Sequence, residues 1–146
     1  MRTKPFVTQM AVLAMVVGGY CVAQSSDAKS GERESKIRLF EIRTYTTEPG
    51  KLDELNARFR NHTTKLFEKH GMTNIGYWTP IDGERSKDTL IYVLAHDSRD
   101  AAEKSWQGFR SDPEWIRAKT ESEAPGPIVR KVESVFLSPT DYSELR

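Results

Sequence analysis

The chain has 146 residues, 37% hydrophobic and 29% charged, with a formal net charge of +1. That is enough for one domain with one core, and the balanced charge, with no Lys/Arg cluster or basic stripe, excludes a nucleic-acid-binding surface. Cys21 is the only cysteine, so no intramolecular disulfide framework is possible.

Residues 1–23, MRTKPFVTQMAVLAMVVGGYCVA, begin with Arg2 and Lys4, continue as an uninterrupted apolar run from Met10 and end on small residues. This is the layout of a secretory signal peptide, with cleavage expected after Ala23. A retained anchor is the competing reading, but the run from Met10 to Ala23 is short of the roughly 20 residues a spanning helix needs. Acylation of Cys21 is disfavoured by the bulky Tyr20 before it. Cleavage would remove Arg2, Lys4 and Cys21, taking the net charge from +1 to −1. The mature chain is then expected to be secreted or periplasmic, without stable membrane insertion and without thiol chemistry. Residues 24–36, QSSDAKSGERESK, carry no apolar side chain larger than Ala28 and are expected to form a disordered spacer.

Residues 37–46, IRLFEIRTYT, form the first predicted strand, stopped by the turn TTEPG. From Lys51 to His70 the apolar residues Leu52, Leu55, Phe59, Leu66 and Phe67 recur at helical spacing, and Gly71 ends that helix. Residues 73–81 and 89–96 are predicted strands joined by the polar loop DGERSKD. Ser98 caps a second helix whose apolar stripe is Ala102, Trp106 and Phe109, and Asp112 with Pro113 restarts the helix at an angle. Trp115 and Ile116 are expected to cover apolar surface there. APGP at 124–127 breaks the helix, and residues 128–137 make a last strand before a polar tail.

Strand, helix, strand, strand, helix, strand is the ferredoxin-like βαββαβ order of an α+β fold: a four-stranded antiparallel sheet with its helices on one face. The other face is left bare and bears large side chains. Two such sheets packed together give a dimeric α/β barrel, so a homodimer is the expected partner.

FEIRTYTTEPGKLDEL, then FEKHGMTNIGYWTP, DPEW and VESVFLSP resemble the NIPSNAP family in order and spacing. The resemblance covers nearly all of residues 37–139 and places a domain at 37–140. It implies a dimeric α/β barrel of the ferredoxin-like kind, and it implies no settled chemistry.

Leu39, Glu41, Arg43 and Tyr45 alternate along the first strand and share one face, with Phe40 and Ile42 on the other. The apolar pair suits the helix-covered core, which would leave the polar row to line the barrel interior or dimer seam. Buried Glu41 and Arg43 require pairing, so a structural salt bridge is weighed ahead of a catalytic role. His62 falls in the seam 52, 55, 59, 62, 66 and is expected to point at the sheet. It reads first as a hydrogen-bonded core histidine and second as a general base or ligand at a pocket edge. Trp78, Tyr92, Trp106 and Trp115 read as core or interface before an aromatic pocket. The candidate pocket residues are therefore Glu41, Arg43, Tyr45, His62, Trp78 and Tyr92.

No two histidines have ligand spacing, and no phosphate loop, serine-nucleophile motif or paired carboxylate occurs, so no metal or cofactor is expected. Two functions follow. The first is an exported homodimer binding a small, mainly apolar ligand or another protein. The second is an enzyme, because related dimeric α/β barrels include cofactor-free monooxygenases and haem proteins, and this rests on analogy of fold.

Overall fold

The structure, a computed structural model, describes residues 38–145. The expected signal peptide at 1–23 and spacer at 24–36 lie outside the described residues. β1 (Leu39–Thr47) leads into α1 (Leu52–Arg58), a π-helical turn (Phe59–Thr63) and α2 (Thr64–Lys69). β2 (Thr73–Trp78) and β3 (Thr89–His96) are joined through a short 3₁₀ turn at Glu84–Lys87. α3 (Arg99–Ser111), α4 (Pro113–Ser122) and β4 (Val129–Leu137) complete the domain. The strands pair antiparallel in the order β2-β3-β1-β4, the ferredoxin-like arrangement expected from the element order. Among the described residues no helix is long and apolar enough to cross a membrane.

The helix ends follow the local chemistry of the sequence. Ser98 Oγ accepts from the Ala101 amide at 3.1 Å and Asp112 Oδ1 from the Glu114 amide at 2.8 Å, each satisfying a donor that the first helical turn leaves open. Asp112 also receives Lys69 Nζ at 2.8 Å and His70 Nε2 at 2.7 Å, locking the end of α2 to the start of α4. Those two side chains and the Glu114 amide hold the Asp112 carboxyl well below the usual carboxylate range. Gly71, at φ 78°, takes the left-handed conformation that closes α2.

The core lies between sheet and helices, where Leu55, Phe59, Leu66, Phe67, Leu90, Tyr92, Leu94, Trp106 and Phe109 pack together. Tyr92 is fully buried, 5.3 Å from Tyr45, 5.1 Å from Phe59 and 5.4 Å from Tyr77 between ring centroids. Trp115 packs on Phe109 at 4.4 Å, whereas Ile116 stays 52% exposed and covers little.

Three expectations require correction. The polar row of β1 faces the helices: Glu41 contacts Trp106 of α3, and Tyr45 packs on Phe59. Phe40 and Ile42 point to the helix-free face. There they join Ile91, Val93, Val135 and Leu137, so the apolar pair continues an apolar surface on that side. Phe40 is nevertheless buried, and the C-terminal segment carrying Pro139, Thr140 and Leu145 runs beside it, lining one groove with Val93 and Leu137.

His62 does not point at the sheet. The π-helical turn inserts one residue into the helical repeat, so the inward position after Phe59 is taken by Thr63, which is buried with Leu66 and Phe67. Thr63 Oγ1 returns a hydrogen bond to the Arg58 carbonyl at 3.3 Å. His62 is rotated into a half-buried groove between α1 and α4, beside Arg58 and Ser122.

Trp78 lies on the helix-free face and is 54% exposed, away from Tyr92. Its ring covers Gly76, where a Cβ would come within 2.5 Å of the indole, so only glycine fits beneath it without displacing the ring. A bulge between Asn74 and Gly76 turns both Asn74 and Tyr77 toward the helices. Tyr77 Oη donates to Asn74 Oδ1 at 2.5 Å, and Asn74 Nδ2 donates to the Thr64 carbonyl at 3.0 Å.

Candidate functional site

Glu41 is the centre of the described polar structure. Its side chain is 1% exposed and takes four donors: Arg43 Nη1 at 2.7 Å and Ser134 Oγ at 2.6 Å on Oε1, Trp106 Nε1 at 2.7 Å and His96 Nε2 at 3.1 Å on Oε2. The fold brings these together simply. Arg43 follows two residues along β1, and Phe136 and Ser134 of β4 stand opposite Glu41 and Arg43 in the antiparallel register. His96 ends β3 in phase with Tyr92 and Leu94, and α3 lowers Trp106 onto the sheet.

Burial by itself pushes the Glu41 carboxyl upward. The hydrogen bonds from His96, Ser134, Trp106 and Arg43 outweigh that and pull it down to about 2. Against an ionised carboxylate, His96 Nε2 carries the proton and donates. His96 Nδ1 is buried without a hydrogen-bond partner among the described residues. Burial disfavours charge on Arg43, but Tyr45, Tyr92 and the bond to Glu41 together raise its pKa above the ordinary guanidinium value, so Arg43 is a permanent cation. Its guanidinium carbon lies 4.2 Å from the Trp106 ring centroid and 5.6 Å from that of Tyr45.

A general base needs a pKa near the working pH and a free lone pair facing substrate. Glu41 has neither. Its arrangement suits a rigid anchor that fixes Arg43, Trp106 and Ser134 in place. These three side chains line a cleft of about 420 Å³ between α3 and β4, with Phe136, Arg99 and Arg110 on its outer walls. Arg99 stacks on Phe136, its guanidinium carbon 3.7 Å from the ring centroid.

Of the six candidate residues, the structure gathers Glu41, Arg43, Tyr45 and Tyr92 on the helix-covered face of the sheet. Glu41 and Arg43 reach the cleft, whereas Tyr45 and Tyr92 belong to the aromatic core beside it. His62 and Trp78 stand elsewhere. Sequence reasoning weighed Trp106 for an aromatic pocket but ranked it as core or interface, and passed over His96, Ser134, Arg99 and Arg110 as site residues. Among the described residues no group of three or more His, Cys, Asp or Glu side chains could hold a metal ion.

The NIPSNAP family profile matches residues 40–144, from β1 to the end of the C-terminal segment. The chain belongs to the NIPSNAP family. A NIPSNAP family protein of unknown function from Agrobacterium tumefaciens strain C58 is similar in structure, with TM-score 0.66 and 18% identity over 77% of this chain and 96% of that one. A monooxygenase from the ActVA-Orf6 gene of Streptomyces coelicolor, solved with the ligand nanaomycin D, has TM-score 0.53 and 11% identity over 74% and 92% of the two chains. SnoaB, a cofactor-independent oxygenase from Streptomyces nogalater, has TM-score 0.51 and 10% identity over 74% and 98%. No functionally curated protein matches the chain. At these identities the likeness establishes a shared α+β ferredoxin-like fold, and the chemistry has to be argued from the NIPSNAP residues themselves.

Proposed function

We propose that this NIPSNAP chain is an exported homodimer that binds a small molecule in the cleft between α3 and β4. The observation that carries the binding reading is the saturation of Glu41. Four donors spent on one buried carboxylate leave no reactive group there, but they hold a cation, an indole and a hydroxyl rigidly at the wall of an open cleft. Preorganised side chains of this kind lower the entropy lost when a ligand is ordered.

The homodimer rests on the helix-free face. Ile42, Ile91, Val93 and Val135 form an apolar surface there, with Trp78 and Val135 each 54% exposed and Leu137 41% exposed. A patch of this composition seeks a partner, and a second copy offers the same surface in return. Export rests on Arg2, Lys4 and the short apolar run from Met10.

Native mass spectrometry of the mature protein tests the reading. The expected result is a dimer that takes up small molecules in a ligand screen and loses them when Trp106 is replaced. A monomer that binds nothing would overturn it. A cofactor-free oxygenase is the second reading, favoured by the likeness to the two Streptomyces oxygenases. Dioxygen uptake by the metal-free protein with an electron-rich polyphenol, lost in the same variant, would establish that reading instead.

A further inference from the structure

We infer that the cleft between α3 and β4 recognises a flat organic anion, an aromatic carboxylate in its simplest form. The inference rests on the ligand-binding reading above and names the ligand's chemistry.

Two guanidinium groups in the cleft are stacked on aromatic rings. Arg43 lies over Trp106 from inside the fold, and Arg99 over Phe136 from the rim. Stacking leaves the edge of a guanidinium, where its N–H donors point, open to a partner in its plane. Arg43 spends Nη1 on Glu41 and its Nε is buried, which leaves Nη2 as the donor it can turn to the cleft. Arg110, one helical step beyond Trp106 on α3, lines the same cleft and forms no ion pair among the described residues.

The opposing charges do not cancel this. Glu41 is occupied by four donors, and Glu103 stands 3.5 Å from Arg99 Nε at the solvent side, where both side chains are largely exposed and the attraction is weak. The cleft therefore presents net positive charge to whatever enters. A carboxylate matches that charge and the forked geometry of guanidinium, while a planar aromatic body can stack on the outer faces of the guanidinium planes, whose inner faces lie on Trp106 and Phe136. A volume of about 420 Å³ admits a two-ring molecule.

The probe pair 2-naphthoate and 2-naphthamide separates charge from shape, since the two have nearly the same size and differ in charge. Titration calorimetry on the full mature protein should show naphthoate binding at least about tenfold more tightly than naphthamide, and weakening as salt is raised. Arg43→Met should reduce naphthoate affinity by about tenfold or more and naphthamide affinity by clearly less, so that the preference for the anion shrinks. Because Arg43 also pairs with Glu41, Arg99→Met combined with Arg110→Met supplies a second test outside the buried network, with the same expected loss. Equal binding of the two probes would overturn the anion inference while leaving a ligand cleft standing. Naphthoate affinity unchanged in the Arg99/Arg110 double variant would also overturn it. Binding of neither probe would overturn the inference, and the ligand screen by native mass spectrometry then decides the reading beneath it.

Discussion

Trp106 Nε1 donates to Glu41 Oε2 across 2.7 Å, a buried bond that ties α3 to the first strand of the sheet over 65 residues of sequence. Trp106 is 7% exposed and packs edge-on against Phe67 and Phe109, so the indole serves at once as core filling and as donor. Trp106→Phe keeps an aromatic ring and removes the donor. The expected loss is about 1–3 kcal/mol, the usual consequence of withdrawing a hydrogen bond from a buried charged group. Urea denaturation reads it directly, and an unchanged midpoint would show that the bond contributes nothing.

The Glu41 carboxyl also predicts how stability depends on pH. Its folded pKa of about 2 lies below the ordinary value of 4.5. A depressed carboxylate stabilises the fold above its unfolded pKa, and that stabilisation is lost as pH falls through the folded value. The difference corresponds to roughly 3 kcal/mol, lost between about pH 5 and about pH 2. Glu41→Gln lacks this contribution. The stability gap between the wild type and Glu41→Gln should therefore narrow by about that amount across the same window. Parallel curves in acid urea titrations would contradict it.

The order of elements was legible in the sequence because each boundary has its own chemistry: Ser98 and Asp112 as caps, Pro113 at a helix start, Gly71 at a helix end. The site was only half legible. Alternation along β1 groups Glu41, Arg43 and Tyr45 correctly, but it says nothing of which face the helices cover. Choosing by polarity gave the wrong side, since the helix layer brings its own donor, Trp106, to a buried acid. His96 was in reach of the same logic, two residues beyond Leu94 and four beyond Tyr92 on one strand face. His62 was not. A π-helical turn leaves no mark in a pattern of apolar residues, and the single added residue it creates is enough to swing the imidazole off the sheet.

The proposed dimer places Val135 at its seam. Val135 stands opposite Ile42 on the helix-free face and is 54% exposed in the single chain. A lysine at an exposed strand position changes the stability of a monomer by about 0.5 kcal/mol or less, whereas one buried in a seam between two sheets must be desolvated without a partner. Val135→Lys should therefore shift the protein to monomer at micromolar concentration in sedimentation velocity, with an unchanged far-ultraviolet circular dichroism spectrum. A wild type that sediments as a monomer, or a variant that stays dimeric, would remove this face from the interface.

Glu41 and Arg43 supply the sharpest test of the anchor reading. The two side chains are 1% and 17% exposed and meet at 2.7 Å, so removing either leaves the other's charge stranded in a poorly solvated place. Glu41→Gln removes the charge that pairs with Arg43 and turns one of the two acceptor oxygens into a donor, setting it against two of the four groups now bonded there, and about 3–5 kcal/mol is the expected cost. Arg43→Met leaves Glu41 with three donors, none of them a permanent cation, and is expected to cost less. The combined variant removes both charges together, and its stability should exceed the value obtained by adding the two single losses, with a coupling energy of about 1–3 kcal/mol. The opposite pattern would mark a site that trades stability for function: single variants as stable as the wild type or more so, and a cycle that adds without coupling. Chemical denaturation of the four proteins at neutral pH distinguishes the two, because an anchor must show coupling and a site under strain must show relief.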